Sequence, residues 1–128
     1  MEKLTTHEFR RLAQTADPAT VSLLMPTHPT GRETKQAPIR FKNLLQEAEH
    51  RLIAAGRRSA DAREQLASLS QRVDDAVFWA HQEEGLAAYC VPGETRLYGV
   101  PFSLPERVTV GAHCYVLPLV RIVGQDTR

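Results

Sequence analysis

The stretch from Thr20 to Ala55 constrains the chain most. Thr20-Val21-Ser22-Leu23-Leu24-Met25 is an apolar run that stops at Pro26. Side chains alternate along an extended strand, so Val21, Leu23 and Met25 take one face and Ser22 and Leu24 the other. Both faces are largely apolar, which predicts a strand covered on both sides and placed inside a sheet. The polar turn Thr27-His28-Pro29-Thr30-Gly31-Arg32 follows, and a helical pattern begins near Ala37. Phe41, Leu44, Leu45, Ala48, Leu52 and Ala55 form one apolar stripe, and Gly56 stops the helix. A loop that leaves a strand and enters a helix N-terminus gathers unpaired N–H groups and a partial positive charge, so it commonly meets anions.

The rest of the chain supplies further elements. Thr5 and Glu8 stand in capping-box spacing ahead of a helix expected over Thr6 to Thr15, closed by Asp17-Pro18. Ser59 or Asp61 is placed to cap a helix through about Val73, with Leu66, Leu69 and Val73 on its buried side. The short link from the preceding helix makes these two antiparallel neighbours. Asp74 to Gln82 reads as helical or irregular. Leu86 to Val91, the Pro92-Gly93 turn and Thr95 to Val100 predict a hairpin, and Arg107 to Val110 a further short strand. Tyr115 to Val123 is ambiguous, because Pro118 suits a helix start and not a central strand. The expectation is α+β: a mixed, mainly antiparallel sheet with the Thr20 strand central, packed by three main helices. Residues 1–123 make one domain and residues 124–128 a frayed tail.

At 128 residues the chain is long enough to bury a core without cross-links. No apolar run approaches the roughly 20 residues that span a bilayer. The N-terminus has neither a basic nor an apolar signal region, so the expected compartment is the cytoplasm. Cys90 and Cys114 lack zinc or redox spacing and read as reduced, buried thiols. His28, His81 and His113 are scattered among them, so neither metal nor cofactor is expected. The acid pairs Asp74-Asp75 and Glu83-Glu84 look water-facing, and no serine sits in a nucleophile elbow. No catalytic residue is assigned and no enzyme is expected. Phe78-Trp79 reads as core packing ahead of base stacking or partner anchoring.

The net charge of +1 excludes a globally basic protein. Locally, Arg32, Lys35, Arg40 and Lys42 face the single acid Glu33 between residues 32 and 42. Such cations beside the hydroxyl-bearing loop Thr27, His28, Thr30 and Gly31 suit nucleic-acid phosphates, the loop positioning them. Arg57, Arg58 and Arg63 extend the patch if the corner between the two long helices folds to the same side. The loop has neither a Walker nor a dinucleotide glycine pattern.

Val21-Ser22-Leu23-Leu24-Met25-Pro26-Thr27-His28-Pro29-Thr30-Gly31-Arg32-Glu33, then Ile39 to Leu45, Phe78-Trp79, Gly85 to Cys90 and Val108 to Val120, follow one another over about Thr20 to Val123. In that order they resemble the N-terminal domain of the bacterial proteins related to archaeal and eukaryotic class 1 peptide-chain release factors. The resemblance implies a release-factor-like, translation-associated domain whose partner is ribosome or RNA. In the archaeal and eukaryotic factors an Asn-Ile-Lys-Ser motif near the segment comparable to Ile39 to Asn43 inspects the stop codon. That motif is absent here, with only Arg40, Lys42 and Asn43 similar in character. The Gly-Gly-Gln motif of peptide release belongs to a separate domain and has no counterpart, so peptide release is not expected. The bacterial relatives usually carry two further domains. A surface left open by their absence implies the alternative of a protein-interaction or homo-oligomerisation domain, with a homodimer or missing C-terminal domains as partner.

Overall fold

The computed structural model describes residues 18–27 and 36–111. The expected helix over Thr6 to Thr15, the segment Tyr115 to Val123 and the tail 124–128 lie outside them, as do His113 and Cys114. The described elements are β1 (Val21–Pro26), α1 (Ala37–Ala54), α2 (Ser59–Ser70), α3 (Ala76–Ala80), β2 (Gly85–Val91), β3 (Glu94–Val100) and β4 (Arg107–Val110). The fold is α+β: a four-stranded sheet with three helices among the described residues.

Strand order is β3-β2-β1-β4, so β1 lies inside the sheet, as its two apolar faces require. Every described pairing is antiparallel. Leu23 stands opposite Ala88 on one side and Val108 on the other. The period-two alternation splits the sheet residues into two clusters. Val21, Leu23, Met25, Leu86, Ala88, Cys90 and Val108 join the helices in the larger one. Leu24, Ala87, Tyr89, Tyr98, Val100 and Leu104 make the other.

α1 buries Phe41, Leu44, Leu45, Ala48 and Leu52 as its sequence announces, whereas Ala55, expected in the same stripe, is the exposed capping residue past the last helical turn. A fully buried side chain of this size contributes roughly 1.5–3 kcal/mol. The helix ends in a Schellman turn. The Gly56 N–H donates to Ile53 O and the Arg57 N–H to Leu52 O, with Gly56 at φ +106°. α2 differs from expectation at both ends. Ser59 is its first helical residue, with Arg58 in the capping position and no side-chain cap bond. Asp61 sits inside the first turn, where its charge suits the positive end of the helix. The helix closes at Ser70, and residues 71–74 form turns before α3. Gln65 then ties α2 to the sheet, its Nε2 donating to Ala19 O at 2.6 Å.

α3 is capped by Asp75, whose carboxylate accepts the Phe78 N–H at 3.1 Å. It brings Trp79 into the core edge-on to Phe41, ring centroids 5.4 Å apart, and the indole N–H donates to Arg72 O at 2.7 Å. The Phe78-Trp79 pair is thus used in packing: Phe78 is half-buried and stands edge-on to Trp79.

Gly85 opens β2 where no side chain fits. A Cβ there would lie 2.5 Å from Phe102 O and under 3 Å from both Val100 and Leu104. Gly85→Ala should therefore destabilise the fold by about 1–3 kcal/mol. Gly56→Ala meets nothing within 4 Å and costs only its backbone conformation, about 1 kcal/mol. Urea unfolding of the two variants should rank them in that order.

Candidate nucleic-acid interface

β1 delivers the chain to Thr27, and α1 begins ten residues later. Thr27 is almost fully buried at 1% exposure. Its N–H donates to Glu84 O at 2.9 Å and its hydroxyl to Glu83 O at 2.6 Å. The hydroxyl that sequence assigns to phosphate positioning is thereby spent inside the protein. Thr27 fixes the start of the loop to the segment ahead of β2 and does not present its oxygen outward. His28, Thr30, Gly31, Arg32 and Lys35 lie outside the described residues.

The start of α1 is chemically open. Gln36, at the capping position, makes no side-chain cap bond, the first turn holds no acid, and Pro38 stands at its beginning. Among the described residues, no side-chain cap or first-turn acid offsets the partial positive charge at this end of the helix.

Arg40 and Lys42 do not form one stripe. Two positions along an α-helix amount to about 200° of rotation, so their side chains leave opposite flanks. Arg40 shares the flank of Glu47 and Arg51, next to β4. There Arg51 Nη1 donates to Val108 O at 2.8 Å and Nη2 lies 3.6 Å from Glu47. Lys42 is exposed and lines a groove between α1 and α2 of about 310 Å³, together with Glu49, Arg63 and Asp74.

The corner arginines do not join the patch. Arg57 and Arg58 follow the far end of α1, about 27 Å along an 18-residue helix from its start. Arg63 is paired with Glu49 at 2.9 Å. Elsewhere Arg72 pairs with Asp75 at 3.0 Å and Arg96 with Glu94 at 3.1 Å. Much of the described cationic surface is thus matched locally.

Cys90 is fully buried beneath α2. Burial pushes its thiol up, opposed in part by contacts with Thr95 and Gln65 and by the Arg57 charge. A thiol held protonated is a poor nucleophile. Among the described residues, no group of three or more His, Cys, Asp or Glu side chains is placed to hold a metal ion. No described helix is long and apolar enough to cross a membrane.

No family model matches the chain, and a search of curated proteins finds no match. Sequence reasoning named Arg57 and Asp61 in other roles and did not group them with Glu64 and Gln65, beside which they line a cleft. They share one face of α2 and its lead-in at helical spacing, and the packing of the β2–β3 hairpin adds Gly93 and Thr95 opposite them.

Thr27→Val keeps the shape and removes the donor to Glu83 O, so it should cost about 1–2 kcal/mol in urea unfolding. Asp75 gives a pH dependence of known sign. The Phe78 N–H it accepts, and then Arg72, hold its carboxyl below the ordinary 3.8. A lowered native pKa stabilises the fold above the unfolded value, and that stability is lost as pH falls through the native one. Asp75→Asn should remove part of the stability loss between about pH 5 and pH 2, read from thermal midpoints.

Proposed function

We propose that the chain is a non-enzymatic, release-factor-like domain that acts in the cytoplasm in association with translation and contacts ribosomal or other RNA at the start of α1. One observation carries this reading: α1 opens without a side-chain cap or a first-turn acid, and Arg40 and Lys42 leave its opposite flanks. A phosphate backbone crossing the end of the helix meets a cation on each side and the positive end of the helix dipole between them. Arg32 and Lys35, which precede the helix in sequence, are the other two cations of this proposal. Thr27 contributes as the anchor of the loop. The domain reads no stop codon in this proposal and releases no peptide.

The second reading is a protein-interaction or homo-oligomerisation domain. It draws on Ile39 and Val77, large apolar side chains that are 61% and 71% exposed. Salt separates the two, because phosphate contacts release counterions and apolar contacts do not.

Co-sedimentation with bacterial ribosomes at two salt concentrations tests the proposal. The wild-type chain should pellet in a salt-sensitive manner. The variant with Arg32, Lys35, Arg40 and Lys42 replaced by glutamine should bind more weakly, its log-log salt slope flattened by up to about 0.7 per lost contact. No pelleting at either salt would reject RNA contact, and salt-insensitive self-association would favour the second reading.

A further inference from the structure

β4 ends the strand order β3-β2-β1-β4, so among the described residues no strand pairs with its outer edge. The register tells which backbone groups that edge carries. The Gly111 N–H donates to Thr20 O at 2.9 Å, one step beyond the Val21–Val110 pair. Alternate residues of an antiparallel ladder exchange bonds with the neighbouring strand, so residues 107, 109 and 111 bond β1. The N–H and C=O groups of Val108 and Val110 point the other way. Arg51 meets one of them from outside the sheet, its Nη1 donating to Val108 O at 2.8 Å. Among the described residues, the Val108 N–H and both groups of Val110 receive nothing of the kind.

This edge faces a groove of about 590 Å³, walled by Asn43, Leu44, Glu47 and Arg51 of α1 and by residues 106–109. Leu44 and Val108, both buried, form its apolar floor. Its rim carries Glu47 and Glu106 against Arg51 and Arg107, acids and bases in equal number. Such a rim draws in neither a polyanion nor a polycation, which sets the groove apart from the RNA contact at the start of α1.

The backbone decides the class of occupant. Alternating N–H and C=O groups along an open edge are matched by one other structure, an extended polypeptide. Length decides between a peptide and a second copy of the chain. β4 has 4 residues, which span about 13 Å. Stable protein dimers bury roughly 1,200–2,000 Å² in all, more than one short edge and its groove offer.

We propose that this edge binds an extended peptide segment of a partner protein, which joins the sheet as a strand beside β4 and lays an apolar side chain between Leu44 and Val108. Its backbone exchanges hydrogen bonds with Val108 and Val110. Arg51 can stay in place, because a carbonyl oxygen accepts two hydrogen bonds.

The test is an amide NMR titration of the intact chain with acetyl-Thr-Val-Leu-Val-Thr-amide and with the same peptide methylated at every backbone nitrogen. The first should give saturable shifts at residues 43–51 and 106–110 and slow the exchange of the Val108 and Val110 N–H groups. The methylated peptide should bind at least tenfold more weakly. Val110→Pro deletes an outward N–H and no bond to β1, so it should keep a native spectrum and weaken binding at least tenfold, whereas Val110→Thr should bind as the wild type does. The comparison of the two peptides stands even if the proline variant fails to fold. Absence of saturable shifts would overturn the proposal, as would equal binding of both peptides or unchanged binding in a folded Val110→Pro. Shifts at the same residues that follow protein concentration without peptide would also overturn it and give the edge to a second copy.

Discussion

A strand bonded along both edges and covered on both faces has no room to slip, and β1 is such a strand. A shift of one residue would carry Val21, Leu23 and Met25 away from the helices and put Ser22 and Leu24 in their place. It would also break register with β2 and β4 together. The helices inherit their positions from this constraint. α1 packs its stripe against β1 and β4, while α2 reaches β2 through the Gln65 carbonyl, which accepts from the Cys90 thiol at 3.0 Å. The loop after β1 is fixed at one end by the same logic, since the bonds of Thr27 to Glu83 and Glu84 continue the pairing one step beyond Pro26 against Gly85.

Periodicity made much of this legible. The alternation in 20–25 placed β1 inside the sheet, the stripe from Phe41 to Leu52 set α1 within a residue of its observed end, and Pro92-Gly93 marked the hairpin. Those signals are local, because each depends on which side chains share a face of a single element. The capping of α2 was misjudged because Ser59 carries the right chemistry one position too late. The capping conformation belongs to Arg58, whose extended backbone precedes the helix.

The candidate interface was less legible for two separate reasons. Counting cations along the chain put Arg40 and Lys42 together, although the angular step of a helix sends them apart. That correction needed only helix geometry. Thr27 is a different matter: its hydroxyl partner lies 56 residues away, and no local pattern announces a bond of that span. Arg57, Asp61, Glu64 and Gln65 stand at helical spacing and share a face of α2 and its lead-in, and only the hairpin residues opposite them, such as Thr95, needed the packing of two distant elements.

Trp79 gives the fold an optical consequence. It is the chain's one tryptophan. Its ring meets Phe41 of α1 edge-on and stands beside Phe78, while its indole N–H is held by the carbonyl of Arg72 at the turn after α2. The indole emission of this protein therefore comes from a single dry junction where three helical segments meet. A change in its colour reports the opening of that junction directly, with no dye to attach and no second indole to subtract.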